Sequence, residues 1–189
     1  MWAEPDLLAS HMGGEIVRSL VYPQLFTARP DGGWAPSLVE PGSVVEADAL
    51  TSVSFRLRAE AVWSDGSAVT AGDLLASSDE RFVSSVEASA DGVVEVTFTQ
   101  PLPGWRRLWS GQDAVLPTTD GLFGGPFGVK SVTPGLVTVL EPNDTWWGAG
   151  TDEFGGGPWL GELHLVVVPS QTTMLQLFER GKLDVVAPW

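Results

Sequence analysis

Two stretches of the chain alternate apolar and polar residues strictly enough to be read as strands. In "SVSFRLR", 52–58, Val53, Phe55 and Leu57 fall on one face and Ser54, Arg56 and Arg58 on the other, the signature of a half-buried strand. "VVEVTFTQP", 93–101, alternates in the same way; Asp91-Gly92 before it marks a turn, and Pro101, which cannot donate to a ladder, stops it. The segment "EIVRSLVYPQLF", 15–26, changes period. Ile16, Val17, Leu20 and Val21 recur at helical spacing until Pro23 ends the pattern.

Further along, "GLVTVLEPN", 135–143, reads as a strand after the turn "TPG", and "ELHLVVVP" as a strand closed by Pro169. "SQTTMLQLFERGKLDVV" then predicts a capped amphipathic helix with Met174, Leu175, Leu177 and Phe178 inward and Gly181 as its left-handed terminator, followed by a short last strand, "LDVV". Trp105 and Trp109 stand one helical turn apart and share a face if that stretch is helical. The glycine-rich run from Trp146 to Gly161 has no period and predicts a loop.

One short stretch, "AVWSDGSAVTAGDLL" at 61–75, carries two local signals back to back. Asp65-Gly66 is a turn dipeptide: the aspartate bonds its own backbone and the glycine tolerates positive φ. Thr70 with Asp73 three residues later predicts a capping box, opening a helix that carries Leu74 and Leu75.

Composition narrows the chemistry. The 189 residues carry 24 acidic and 10 basic side chains, a formal charge of −14 that repels nucleic-acid phosphates and anionic lipid. Nucleic acid is therefore not an expected partner. Without cysteine, disulfides, thiolate catalysis and cysteine-ligated zinc are excluded. The chain shows no phosphate loop, zinc-protease helix or nucleophile elbow. His11 and His164 are the only histidines, too few for an expected metal site, and His164 shares a strand face with Glu162. No catalytic residue, metal or cofactor is expected. No apolar run is long enough to span a membrane, and no secretory leader pattern opens the sequence. Nine tryptophans against one tyrosine point either to several apolar clusters or to a surface that stacks on ligands.

In their order, these pieces resemble the extracellular solute-binding proteins of peptide and nickel ABC importers, family five. The resemblance runs through "EIVRSLVYPQLF", "SVSFRLR", "AVWSDGSAVTAGDLL", "VVEVTFTQPLP", "LPTTDGLFGGPFGVKSVTPGLVTVLEPNDTWW" and "LFERGKLDVV", nearly the whole chain. It departs in a short segment, "ASSDERFVSSVEASADG", between the capped helix and the following strand, and in the glycine turn Gly124-Gly125-Pro126-Phe127, where Phe stands for the usual Tyr.

The resemblance implies an α/β fold, a type II periplasmic-binding-protein-like lobe with a mixed β-sheet and short helices. Residues 1–189 would be the N-terminal lobe of a two-lobe binder whose second lobe is absent. It further implies a non-catalytic, extracytoplasmic substrate-binding component of an ABC importer, lipid-anchored in its precursor, with a peptide-like small solute and an ABC permease as partners and self-association through the open lobe face. Ser10, His11, Met12, Gly125 and Phe127 would face the ligand, while Trp63, Asp65, Gly66, Thr70 and Asp73 would form a structural motif joining strand to helix, with Trp63 packed beneath it. Two other classes stand beside this one: an interaction or regulatory protein derived from the same fold, and a tryptophan-rich carbohydrate-binding module.

Overall fold

A computed structural model describes residues 12–119, 121–151 and 156–186. Helix α1, Met12–Val21, is followed by a two-stranded hairpin of β1, Phe26–Ala28, and β2, Trp34–Pro36. A four-stranded sheet comes next, built from β3, Val45–Glu46, β4, Ser52–Arg56, β5, Val83–Ala88, and β6, Val93–Phe98, in the order β3-β4-β6-β5. Helix α2, Ala71–Ala76, lies in the connection between β4 and β5. A three-stranded sheet of β7, Phe127–Thr133, β8, Val137–Pro142, and β9, Leu163–Val166, precedes α3, Gln171–Glu179.

Alternation in β4 and β6 is realised as read: Val53, Phe55, Val94, Val96 and Phe98 point into the core while Ser54 and Glu95 face outward. Leu57 follows the end of β4 as an isolated bridge to Val39. β5 is the strand that the sequence pattern conceals. Its buried valines, Val83 and Val86, are three apart because the register with β6 shifts between Val83 and Ser85, so a bulge breaks the period of two.

Most of the core lies on the inner face of the four-stranded sheet. Trp105, fully buried, meets Phe26 edge-on with ring centroids 5.3 Å apart and stacks parallel to Phe55 at 6.2 Å. Trp105 and Trp109 do not share a helical face. The helix is a single 3-10 turn, Trp105–Arg107, and Trp109 has left-handed backbone at φ +52°, which sends its indole to the Leu74 carbonyl while that of Trp105 goes to Glu46. A second, smaller cluster of Val17, Val21, Phe127 and Leu140 sits between α1 and the three-stranded sheet.

Three further expectations are corrected, on α3, on residues 183–186 and on the sheet, and α1 and α2 each bury one side of their apolar positions. Ile16 is 42% exposed, because the buried stripe of α1 is carried by Val17 and Val21. Leu75 turns outward from α2, whose single turn and a half buries Leu74 instead. On α3 only Met174 is buried; Leu175 and Phe178 are half exposed, since no described element packs along that stripe. Residues 183–186 form no strand: Val185 is 83% exposed and no pairing is found for this segment among the described residues. Every described strand pairing is antiparallel, so the expected mixed sheet is not observed. The helix does end as read: Gly181 at φ +62° donates to the Phe178 carbonyl, and Lys182 to that of Leu177.

On the outer side of the three-stranded sheet, Lys130 reaches Glu162, and His164 Nε2 lies 2.9 Å from the other oxygen of the same carboxylate. The Lys130 ammonium, with His164 behind it, holds the Glu162 carboxyl at about 2 instead of its ordinary 4.5. A depressed acid stabilises the fold above its unfolded value, and that contribution is lost as pH falls through the folded value, here between 4.5 and about 2. We therefore expect a carboxyl-detected NMR titration to place the Glu162 midpoint near the lower end of that window, and Lys130→Met to move it upward. A midpoint already at the ordinary value in the unsubstituted chain would contradict the ion pair.

Candidate functional site

The turn-and-cap segment gathers a dense set of polar contacts. Asp65 Oδ1 accepts the Ser67 N–H at 2.9 Å and the Ser67 hydroxyl at 2.6 Å, and these bonds hold the Asp65 carboxyl below its usual range. Gly66, at φ +85°, closes the turn by donating to the Trp63 carbonyl at 2.9 Å. Four residues later Thr70 and Asp73 make the capping box of α2, in which the Asp73 carboxylate accepts the Thr70 N–H at 2.8 Å and the Thr70 hydroxyl at 2.9 Å.

Asp73 does more than cap. It is 3% exposed, and its carboxylate also accepts the Trp63 indole N–H at 3.4 Å and the backbone N–H of Thr118 at 3.2 Å. Four donors and the first turn of α2 thus surround a buried carboxyl group that forms no ion pair among the described residues. Turn, helix cap and the distant segment around Thr118 are tied to one carboxyl group. Ser77 adds a second tie, accepting the Leu116 N–H at 2.8 Å, and Ser64 a third, through its N–H to the Phe123 carbonyl at 2.7 Å.

That segment delivers the glycine turn. Gly124 and Gly125 both donate to the Val21 carbonyl, at 3.1 and 2.8 Å, and so satisfy the last turn of α1. The close approach requires glycine: a Cβ on Gly125 would lie 2.4 Å from the Leu20 carbonyl oxygen, and one on Gly124 would lie 3.1 Å from the Trp63 ring. Asn143, 3% exposed, locks the far side by donating to the Gly125 carbonyl at 2.8 Å. We expect Gly125→Ala to cost about 2 kcal/mol, the price of overpacking against backbone that cannot rotate away. Urea unfolding with an unchanged midpoint would show that α1 and the turn are not in contact.

The expected ligand-facing residues do not come together as one described surface. Ser10 and His11 lie outside the described residues, and Met12 is the first residue of α1. Gly125 and Phe127 lie at the other end of that helix, both buried, with Phe127 inside the second cluster. Phe127 therefore points into packing and not onto an open face, because α1 covers it.

The Asn143 and Thr118 partnerships carry no signal in spacing. Thr118 meets Asp73 across 45 residues of sequence, where only the folded chain brings them together. A groove of about 420 Å³ crosses the outer face of the four-stranded sheet over Ser52, Ser54, Glu87 and Glu95, with the two glutamates directly opposite each other on β5 and β6. Among the described residues no group of three or more His, Asp or Glu side chains could hold a metal ion, and no helix is long and apolar enough to cross a membrane.

No protein-family model matches the chain. Individual proteins do. It is 28% identical over 161 residues to the oligopeptide-binding protein OppA of Mycobacterium bovis, covering 67% of this chain and 27% of that one. It is 26% identical over 171 residues to the probable monoacyl phosphatidylinositol tetramannoside-binding protein LpqW of Mycobacterium tuberculosis, covering 70% and 26%. The chain spans about a quarter of the length of these relatives. Among solved structures, Listeria monocytogenes OppA bound to peptide superposes over 95% of this chain and 43% of its own, with a TM-score of 0.77 at 21% identity. The agropinic acid complex of AgaA from A. tumefaciens R10 covers 95% and 40%, with a TM-score of 0.78 at 22% identity. By sequence the chain is similar to binding proteins such as OppA and LpqW over about a quarter of their length, and its fold is that of part of a periplasmic binding protein.

Proposed function

We propose that residues 1–189 serve as the N-terminal lobe of a two-lobe, non-catalytic solute-binding protein that works outside the cytoplasmic membrane, lipid-anchored in its precursor, and hands a peptide-like small solute to an ABC permease. The observation that carries this reading is the superposition of 95% of the chain on a peptide-bound OppA, together with 28% identity to a second OppA. Ser10 and His11, which precede α1 in the sequence, and Met12, its first residue, contact the solute through their backbone. Gly125 and Phe127 act from the opposite end of the helix, fixing its position beneath that contact. In such a clamshell the solute is enclosed on both sides, and a single lobe offers it an open face.

The half-exposed stripe of Leu175 and Phe178, with Val167 near it in sequence, gives the same lobe an apolar surface through which it self-associates. Chemical-shift mapping of the 189-residue chain with peptide mixtures at high concentration tests the ligand assignment. Perturbations clustered at positions 9–14 support it, and perturbations confined to distant residues refute it.

A further inference from the structure

The described molecule is held together by two cores of very unequal size. The larger gathers eighteen buried side chains beneath the four-stranded sheet, including Trp63, Trp105, Trp109 and Phe55. The smaller has four, Val17, Val21, Phe127 and Leu140, and two of those belong to α1. The three-stranded sheet thus contributes only Phe127 and Leu140 as fully buried apolar groups, supported by partly buried Val129, Leu163 and Leu165. α3 adds Met174 alone.

The links between the two bodies are as few. The chain crosses from one to the other at Phe123-Gly124-Gly125-Pro126, where two amides bond the Val21 carbonyl. Tyr22 packs against both clusters, and Trp147, just beyond β8, rests against the larger one with its indole N–H buried and without a partner among the described atoms. Burial and hydrogen bonding set the free energy of local opening, so a body with little of the first and few cross-links opens at lower cost than the whole.

We infer that β7, β8, β9 and α3 form a separate cooperative unit, which opens away from α1 and the four-stranded sheet while that sheet stays folded. Opening breaks the bonds of the Gly124 and Gly125 amides to the Val21 carbonyl, and the weak point is the small cluster around Leu140. Opening exposes the α1 stripe of Val17 and Val21 together with the unit's own apolar stripe.

Native-state hydrogen exchange of the 189-residue chain, followed residue by residue at low denaturant, tests this directly. The ladder amides of β7, β8 and β9 are expected to exchange as one group, about tenfold or more faster than those of β4 and β6. Leu140→Ala is expected to accelerate the first group and leave the second unchanged within about twofold. A single common rate for both sheets in the unsubstituted chain would overturn the inference, as would equal acceleration of both groups by Leu140→Ala. The unsubstituted chain decides the matter even if that variant fails to fold.

Discussion

Asp73→Ala is expected to lower the unfolding free energy by about 4 kcal/mol, because the buried Trp63 indole N–H loses its acceptor at about 1–3 kcal/mol and the part-buried Thr70 and Thr118 amides lose theirs at less. The Thr70 hydroxyl can rotate to other partners, but the Thr70 and Thr118 amides are fixed by the backbone, and the Trp63 indole is held by packing. Asp73→Asn separates the lost acceptor from the lost volume. It keeps the shape and one oxygen but turns an NH₂ toward groups that are all donors, so its loss should be intermediate. Urea unfolding followed by far-ultraviolet circular dichroism measures both variants. An alanine variant within about 1 kcal/mol of the parent would mean that water replaces the carboxylate freely and that the site is not closed.

Trp63→Ala follows at about 4 kcal/mol, the loss expected when a fully buried indole leaves a cavity. Trp63 is 2% exposed, lies below the turn closed by Gly66, and forms the surface against which Gly124 is packed. Its removal therefore loosens the turn, the Asp73 knot and the glycine crossing together, and the cost should not add to that of Asp73→Ala. A double-mutant cycle on the two residues measures that coupling. Full additivity would show that the indole and the carboxylate stabilise the fold independently, contrary to their hydrogen bond.

How far the sequence could be read depended on whether a feature was local. The turn at Asp65-Gly66, the cap at Thr70 and the terminator at Gly181 are decided by residues within a few positions of each other, and all three are present. β4 and β6 are legible because one face of each is buried and the other wet. β5 is not, because its bulge places Val83 and Val86 out of phase. Trp105 and Trp109 would share a face only in a helix that reached both; the 3-10 turn stops at Arg107, and tertiary packing buries each through a separate backbone conformation. α3 shows the limit of amphipathic reasoning, since an apolar stripe predicts burial only where another element arrives to cover it.

The site divides along the same line. Residues 63–73 could be picked out as a structural motif from the turn and cap alone, but the role of Asp73 as the anchor of a loop 45 residues away could not. Gly125 and Phe127 were legible as an unusual turn and illegible as packing, because the surface they meet is the end of α1, more than a hundred positions earlier in the chain.

The proposal that residues 1–189 are one lobe of a clamshell binder is tested most directly by isothermal calorimetry of the 189-residue chain against a panel of peptides and sugars, with light scattering of the same samples. Enclosure removes most of a ligand's surface from water, and a lone lobe gives up roughly half of that burial, at about tenfold in affinity for each 1.4 kcal/mol lost. The predicted result is no binding tighter than about millimolar, with association of the chain appearing as its concentration rises. Submicromolar binding of any one solute by a monomeric 189-residue chain would contradict the claim, because it would show the chain to be a complete binding domain.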